Sequence, residues 1–328
     1  MCDAAPNILV VGGEGFIGAA AVCALKEAGA SVAAGSRRGA GTADGRDVVA
    51  CNLDDAEEIR AAVKGRDLVV HAAFGDDASL GAQLSTLLEA MTQASASRLI
   101  YISSIAVYGD RDGVVDESAA PGEPLDAYAR AKLDCEHRIR LWGAAAPGKR
   151  RALILRPGAV YGAGSRFWID KMIERLDAGA LPLVGDGRAP LIHVDDLAAM
   201  IAVGAQRLLA PEASEDWPAF LALNAVGAQT LSWNDYFLAL AKASGRPAPQ
   251  PASSARLLAL AALATVAKTA RRLGVRGLRG AALLPTGGER RLFSRRADYS
   301  IRACEKYLSM RPGLSLDEGL ARSFHSST

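Results

Sequence analysis

The chain opens on a strand-length apolar run, Ile8 to Val11, followed at once by glycines at three-residue spacing, Gly12, Gly15 and Gly18. An apolar stretch of helical length runs from Phe16 to Ala28, Gly29 ends it, and Ser31 to Ser36 ("SVAAGS") reads as a second strand. A run with no polar position suits a strand covered on both faces. Strand, glycine turn, helix and strand make a βαβ unit. At such a turn the missing side chains let backbone N–H groups approach a pyrophosphate at the helix N-terminus. A glycine triplet alone also makes ordinary tight turns. Its place after a buried strand and before a helix is what points to a dinucleotide. Gly12, Gly15, Phe16, Ile17 and Gly18 are the residues this assigns to the cofactor.

The end of the second strand bears on which dinucleotide. An acid there would bond the ribose hydroxyls of NAD. This chain has Ser36-Arg37-Arg38 and no acid until Asp44. Guanidinium groups suit the 2′-phosphate of NADP, so NADP is expected in preference to NAD. A solvated basic loop is the alternative reading.

The alternation continues. "DVVACNL" (47–53) is a strand, Asp55 to Val63 a short helix, "DLVVHAA" (67–73) a strand, Leu80 to Ala94 a helix, and "RLIYISS" (98–104) a strand. A helix around Tyr128 and the strand "RALILRP" (151–157) follow. Strands alternating with helices imply an α/β fold with a doubly wound parallel sheet. Ligands of such sheets sit at the carboxyl ends of the strands. Ser103 and Ser104 end one strand and Pro157 another, so the start of the Tyr128 helix is expected beside them.

That helix begins "DAYARAKLDCE", with Tyr128 four residues before Lys132. The two share a helix face, a spacing that carries no chemistry on its own.

Bulk properties exclude several classes. With 328 residues, half of them hydrophobic and 23% charged, the chain can bury a large core. The net charge of +2 gives no general attraction to nucleic acid. Cys2, Cys23, Cys51, Cys135 and Cys304 form no CxxC pair and no cluster with the four histidines, so no metal is expected. Scattered cysteines suit a reducing cytoplasm. The N-terminus enters a strand at once, without a signal peptide. The most apolar helical segment, "LLALAALATVA" (257–267), has eleven residues, too few to span a bilayer.

Together these segments resemble the extended short-chain dehydrogenase/reductase family, also called the NAD-dependent epimerase/dehydratase family. The matching motifs are "GGEGFIG" (12–18), "DLVVHAA" (67–73), "YISSIAVYG" (101–109), "YARAK" (128–132), "LRPGAVYG" (155–162), "IHVDDLA" (192–198) and "RPGLSLDEGL" (311–320), in family order over nearly the whole chain. The resemblance implies a Rossmann-like domain, residues 1–158 with about 194–228 returning to it, and a smaller, interleaved C-terminal substrate domain, 159–328. It implies a small-molecule substrate and a homodimer. By motif position Tyr128 matches the catalytic tyrosine, Lys132 its lysine partner, and Ser104 the residue that bonds the substrate oxygen. A free tyrosine titrates near ~10. A cationic lysine stabilises the phenolate and lowers that value, so the tyrosine can exchange a proton with an alcohol or ketone. The resemblance also implies that Asn52 and Leu53 lie near the adenine, that Ala72 and Ala73 line the cofactor cleft, that Pro157 borders it, and that Tyr161 and Gly162 approach the substrate. Asp195 and Asp196 lead a helix, where acids favour the N-terminus, and are expected to cap it. His193 beside them is expected to pack.

Three departures bear on substrate. Only "FGDDAS" (74–79) separates the "HAA" strand from the next helix, and Leu80 and Gln83 replace a family Asn and Gly. Ala189-Pro190-Leu191 replaces the Arg-Asp-aromatic run of nucleotide-sugar enzymes. Ala159 stands where those enzymes carry a polar residue. Between Arg256 and Arg296 ten basic residues face one acid, Glu289, around the apolar segment. This resembles the 3β-hydroxysteroid dehydrogenase-like branch, whose substrates are lipophilic alcohols and ketones. The expectation is an NADP(H)-preferring oxidoreductase with an apolar pocket rimmed by the 255–272 helix. The alternatives are a nucleotide-sugar epimerase or dehydratase with retained NAD, and a non-catalytic dinucleotide-binding protein.

Overall fold

The computed structural model describes residues 4–43, 46–183, 185–210, 217–272 and 283–325, with backbone alone at 42, 43, 46 and 325 and at several positions in 254–272. In chain order the strands are β1 (Asn7–Val11), β2 (Ser31–Ser36), β3 (Gly41–Ala43), β4 (Arg46–Ala50), β5 (Leu68–His71), β6 (Arg98–Ile102), β7 (Gly113–Val115), β8 (Arg151–Pro157), β9 (Ala159–Tyr161), β10 (Arg188–Ala189), β11 (Leu191–His193) and β12 (Phe220–Ala225). The main sheet runs β12-β8-β6-β5-β1-β2-β4, all parallel, and β3 folds back antiparallel on β4. This is the Rossmann-like doubly wound sheet expected from the alternating pattern.

Three strands end sooner than their apolar runs. The expected strands 47–53, 67–73 and 98–104 leave the ladder at Ala50, His71 and Ile102. Each keeps one more bond to its neighbour: Cys51 N–H to the Ser36 carbonyl, Ala72 N–H to Val11 and Ser103 N–H to Leu155. Beyond that point the backbone turns outward, which delivers Asn52, Ala73 and Ser104 to the carboxyl edge.

Helix α1 (Phe16–Glu27) buries Gly18, Ala21, Val22 and Leu25, an i, i+3, i+4, i+7 stripe, against the sheet and α6 (Val194–Leu209). On the other face α2 (Ala56–Val63), α3 (Leu80–Gln93) and α4 (Ala127–Ala144) close a second core around Leu84, Leu87, Tyr101 and Cys135. Asp126 caps α4 by accepting from Ala129 N–H at 2.8 Å. The inward stripe of α4 includes Ala129, Lys132, Glu136 and Ile139, so two charged residues are carried into the core by helical spacing.

A further core is built by α5 (Lys171–Asp177), α7 (Trp233–Ala243), α9 (Gly287–Ser294) and α11 (Leu316–His325) around fully buried Trp233, which stacks on Trp168 at 5.0 Å. Fully buried Arg175 and partly exposed Lys171 both bond Glu289, at 2.7 and 2.8 Å, and tie α5 to α9. This pairing holds the Glu289 carboxyl well below its usual range despite burial. Helix α8 (Ser254–Arg272) contains the apolar segment; Ala264 is buried with Ala180 and Leu284, Ala267 is buried as well, while Leu263 and Val266 are exposed. Arg276 and Arg279, and the side chains of Arg256, Lys268, Arg271 and Arg272, lie outside the described residues. Arg295 pairs with Asp110 and Arg296 with Asp186.

Candidate active site

The glycine loop makes a floor that side chains would fill. Gly12 has φ +79°, and a Cβ there would stand 2.7 Å from the Ala73 backbone. A Cβ on Gly18 would meet the Gly12 carbonyl at 2.1 Å. Gly15 is the N-cap of α1; it offers no side-chain cap, and no acid lies in the first turn. The first N–H groups of α1 therefore have no side-chain acceptor at the N-cap, which suits a pyrophosphate. Phe16 and Ile17 are half-buried beside it, and Ala73 stands against Gly12.

Around the end of β2 the side chains are organised. Ser36 Oγ donates to the Glu14 carboxylate and accepts from Arg38 N–H at 3.1 Å. Arg38 Nη2 lies 3.1 Å from the same carboxylate. Arg37 is exposed. Asn52 closes the next turn: its N–H donates to Glu58 at 2.8 Å, and its Oδ1 accepts from Asp54 N–H at 3.2 Å, with half-buried Leu53 between.

Ser104, Tyr128 and Lys132 come together at the carboxyl ends of β5 and β6. Ser104 leaves β6 and caps the short turn Ile105–Tyr108, its Oγ accepting from Ala106 N–H at 3.1 Å. Burial raises the Tyr128 pKa, the neighbouring Ser104 side chain opposes that, and the carboxylates of Asp126 and Asp77 add to it. Lys132 is 3% exposed. Its Nζ donates to the Ile102 carbonyl at 2.8 Å and the Tyr101 hydroxyl at 3.3 Å, and lies 5.8 Å from the Tyr128 ring centre. Burial lowers the Lys132 pKa to about 8.

Several residues to which the motifs assign no role also stand here. Tyr101 holds Lys132 from beneath. His71, wholly buried, lies 5.2 Å from the Tyr101 ring; burial and the Lys132 cation push its pKa down to about 3, so it is neutral. Phe74, 57% exposed, stands edge-on to Tyr128 at 5.3 Å. Below Ser104, Ser103 donates to Glu136 at 2.6 Å, Arg156 pairs with Glu136, and the Tyr108 hydroxyl accepts from Arg156 at 2.8 Å and donates to Asn224 at 2.7 Å.

Other expected residues lie apart. Pro157 is buried at the end of β8. Tyr161 is 2% exposed, its ring packed on His193 at 5.1 Å and Tyr236 at 6.1 Å, so it offers the cleft no surface in this conformation. Asp195 and Asp196 open α6, but the side-chain acceptor at its N-cap is His193 Nδ1, bonded by Asp195 N–H at 3.2 Å. Asp196 instead takes the Gly313 and Leu314 N–H groups at 3.2 and 3.1 Å, and Asp195 pairs with Arg322. The acids fasten the C-terminal segment to α6. Among the described residues no helix is long and apolar enough to cross a membrane.

The sequence profile of the NAD dependent epimerase/dehydratase family matches residues 8–217. The chain is 28% identical to the 2-alkyl-3-oxoalkanoate reductase of Stenotrophomonas maltophilia (strain K279a), over 98% of this chain and 99% of that one. The UDP-glucose 4-epimerase of Streptomyces lividans is 32% identical over 153 residues, 40% of this chain. The chain spans 46% of that epimerase's length and 30% of another curated epimerase it matches. Among solved structures, MoeE5 in complex with UDP-glucose and NAD superposes with TM-score 0.70 over 97% of each chain at 23% identity, a likeness of fold.

Proposed function

The chain belongs to the NAD-dependent epimerase/dehydratase family, and on that premise we propose an NADP(H)-preferring oxidoreductase acting on the secondary alcohol or ketone of an apolar substrate. The dinucleotide, when bound, supplies the hydride chemistry. The glycine loop and the N-terminus of α1 would hold its pyrophosphate, Ser36, Arg37 and Arg38 its adenosine 2′-phosphate, Asn52 and Leu53 the adenine side. Ser104 and Tyr128 bond the substrate oxygen, and Tyr128 gives or takes the proton there. Lys132, fixed by Ile102 and Tyr101, favours the phenolate through its charge. Residues 1–158 with 194–228 form the cofactor half and 159–328 the substrate half of a cytoplasmic homodimer.

The observation that carries the apolar substrate is Phe74, a largely exposed ring against the hydroxyl-bearing ring of Tyr128. A buried apolar body gains ~25 cal/mol per Å², whereas sugar hydroxyls against that face would go unpaired. The full-length alignment to a reductase of oxoalkanoates supports the same reading. The deciding experiment compares hydrophobic ketones, acyl thioesters and nucleotide sugars for stoichiometric NADPH consumption. Turnover of nucleotide sugars alone, with tightly retained NAD and no net reduction, would establish the second reading, an epimerase, which the partial match to a UDP-glucose 4-epimerase favours. Replacing both Arg37 and Arg38 by Ala should weaken NADP binding far more than NAD binding; a wild type that binds NAD as tightly as NADP would overturn the preference.

A further inference from the structure

The end of β2 lacks an acid, yet the site contains one. Glu14 comes from the glycine loop, between Gly13 and Gly15, and its carboxylate lies on Ser36 and Arg38. Gly13 makes this approach possible, since a Cβ there would come within 2.7 Å of Ala34 on β2. The loop is thus seated against the strand whose last residue is Ser36, and Gly12 N–H bonds the Gly35 carbonyl at 3.2 Å.

We propose that Glu14 is the cofactor-specificity determinant of this site: it takes the adenosine 2′-hydroxyl of NAD, and it restrains NADP by holding Arg38 and opposing the 2′-phosphate. This rests on the dinucleotide site argued above. Two effects act in one direction. The Ser36 hydroxyl already donates to Glu14 and accepts from Arg38 N–H, so its hydrogen is committed to the carboxylate. A ribose hydroxyl arriving there is a donor, and a carboxylate is an acceptor. A 2′-phosphate is an anion, and beside Glu14 it meets like charge. To serve the phosphate, Arg38 must leave Glu14. Its side chain is 76% exposed, so the pair is weak and the exchange is feasible. NADP therefore binds through Arg37 and a displaced Arg38, and NAD through Glu14. The acid is supplied by the loop in place of the strand end, which explains how the Ser-Arg-Arg end can coexist with NAD binding.

The test is equilibrium titration of the intact protein with NAD and with NADP, followed by calorimetry, for wild type, Glu14→Gln and Glu14→Ser. The Gln variant keeps the shape of the loop and removes the charge; the Ser variant gives a small polar residue. The Kd ratio NAD:NADP should rise by about tenfold or more in both, through weaker NAD and tighter NADP binding. Adenosine 2′,5′-bisphosphate, which carries the phosphate without the nicotinamide, should tighten in parallel. A ratio within about twofold of wild type, or a shift toward NAD, in a variant that melts like wild type overturns the proposal. Failure of wild type to bind either dinucleotide would instead strike the cofactor site itself.

Discussion

Glu136 grips Arg156 through two hydrogen bonds, 3.0 Å from Nε and 2.6 Å from Nη2, one helical turn beyond Lys132 on α4. Both side chains are 5% exposed. Burial works against the Arg156 charge, and the Glu136 carboxylate more than restores it. Removing one partner strands the other in the core. Glu136→Ala is expected to cost about 3–5 kcal/mol in urea unfolding. The double variant Glu136→Leu/Arg156→Met should be more stable than Glu136→Ala, because no orphan charge is left. A double variant weaker than the single would show that the links to Ser103 and Tyr108 matter more than the charge.

Tyr128→Phe keeps the ring against Phe74 and deletes the titrating oxygen. Turnover should fall by about 10²–10⁴ with dinucleotide affinity nearly unchanged. Lys132→Met should reduce both, since the proposed role of the lysine is to support the tyrosine and to hold the cofactor. A Tyr128→Phe enzyme with near wild-type kcat removes the assignment.

Lys132 gives the ligand-free protein a pH signature. Its pKa is lowered from 10.5 to about 8 in the fold. Between those values the unfolded chain binds more protons than the folded one, so this group makes stability rise with pH across that window. Below about 8 both states are protonated and the full penalty, of order 3 kcal/mol, is present. In Lys132→Met that penalty is gone. The stability difference between the variant and wild type should therefore shrink as pH rises from 8 toward 10.5. Parallel melting curves across the window would show an unshifted lysine.

Phe74→Ala removes the exposed ring beside Tyr128. For hydrophobic ketones the KM should rise by about tenfold, with kcat changed less, since the contact is made in ground and transition states alike. Equal loss in kcat and in kcat/KM would mean that the ring positions Tyr128 instead.

What could be read from the sequence was local. The glycine loop declared itself because strand, turn and helix are adjacent in the chain, whereas the Tyr128–Lys132 pair, which helical spacing alone does not mark, was legible only through its place in the family's order of motifs. The residues that surround them were illegible for a shared reason. Glu14 meets Ser36 across 22 positions, and Tyr101 meets Lys132 across 31; both contacts depend on which strand lies beside which. Asp195 and Asp196 illustrate the same limit. Their position at a helix start suggested capping, but their bonds run to Gly313, Leu314 and Arg322, and His193 takes the cap. Tyr161 has the right motif and lies in the packed interior, because Gly319 of α11 leaves room for its hydroxyl there.

The last strand of the parallel sheet arrives late. β8 pairs with β12 from Ala152 to Pro157, and α6 packs against the buried stripe of α1. During synthesis, then, the first 158 residues emerge with one flank bare: β8 presents an unpaired apolar edge, and α1 an uncovered stripe, until residue 225 has left the ribosome. An exposed parallel edge of that kind recruits other strands. A fragment ending at residue 158 should accordingly be found in inclusion bodies, whereas a circularly permuted chain that begins at Val194 would deliver α6 and β12 first and close the sheet without that interval.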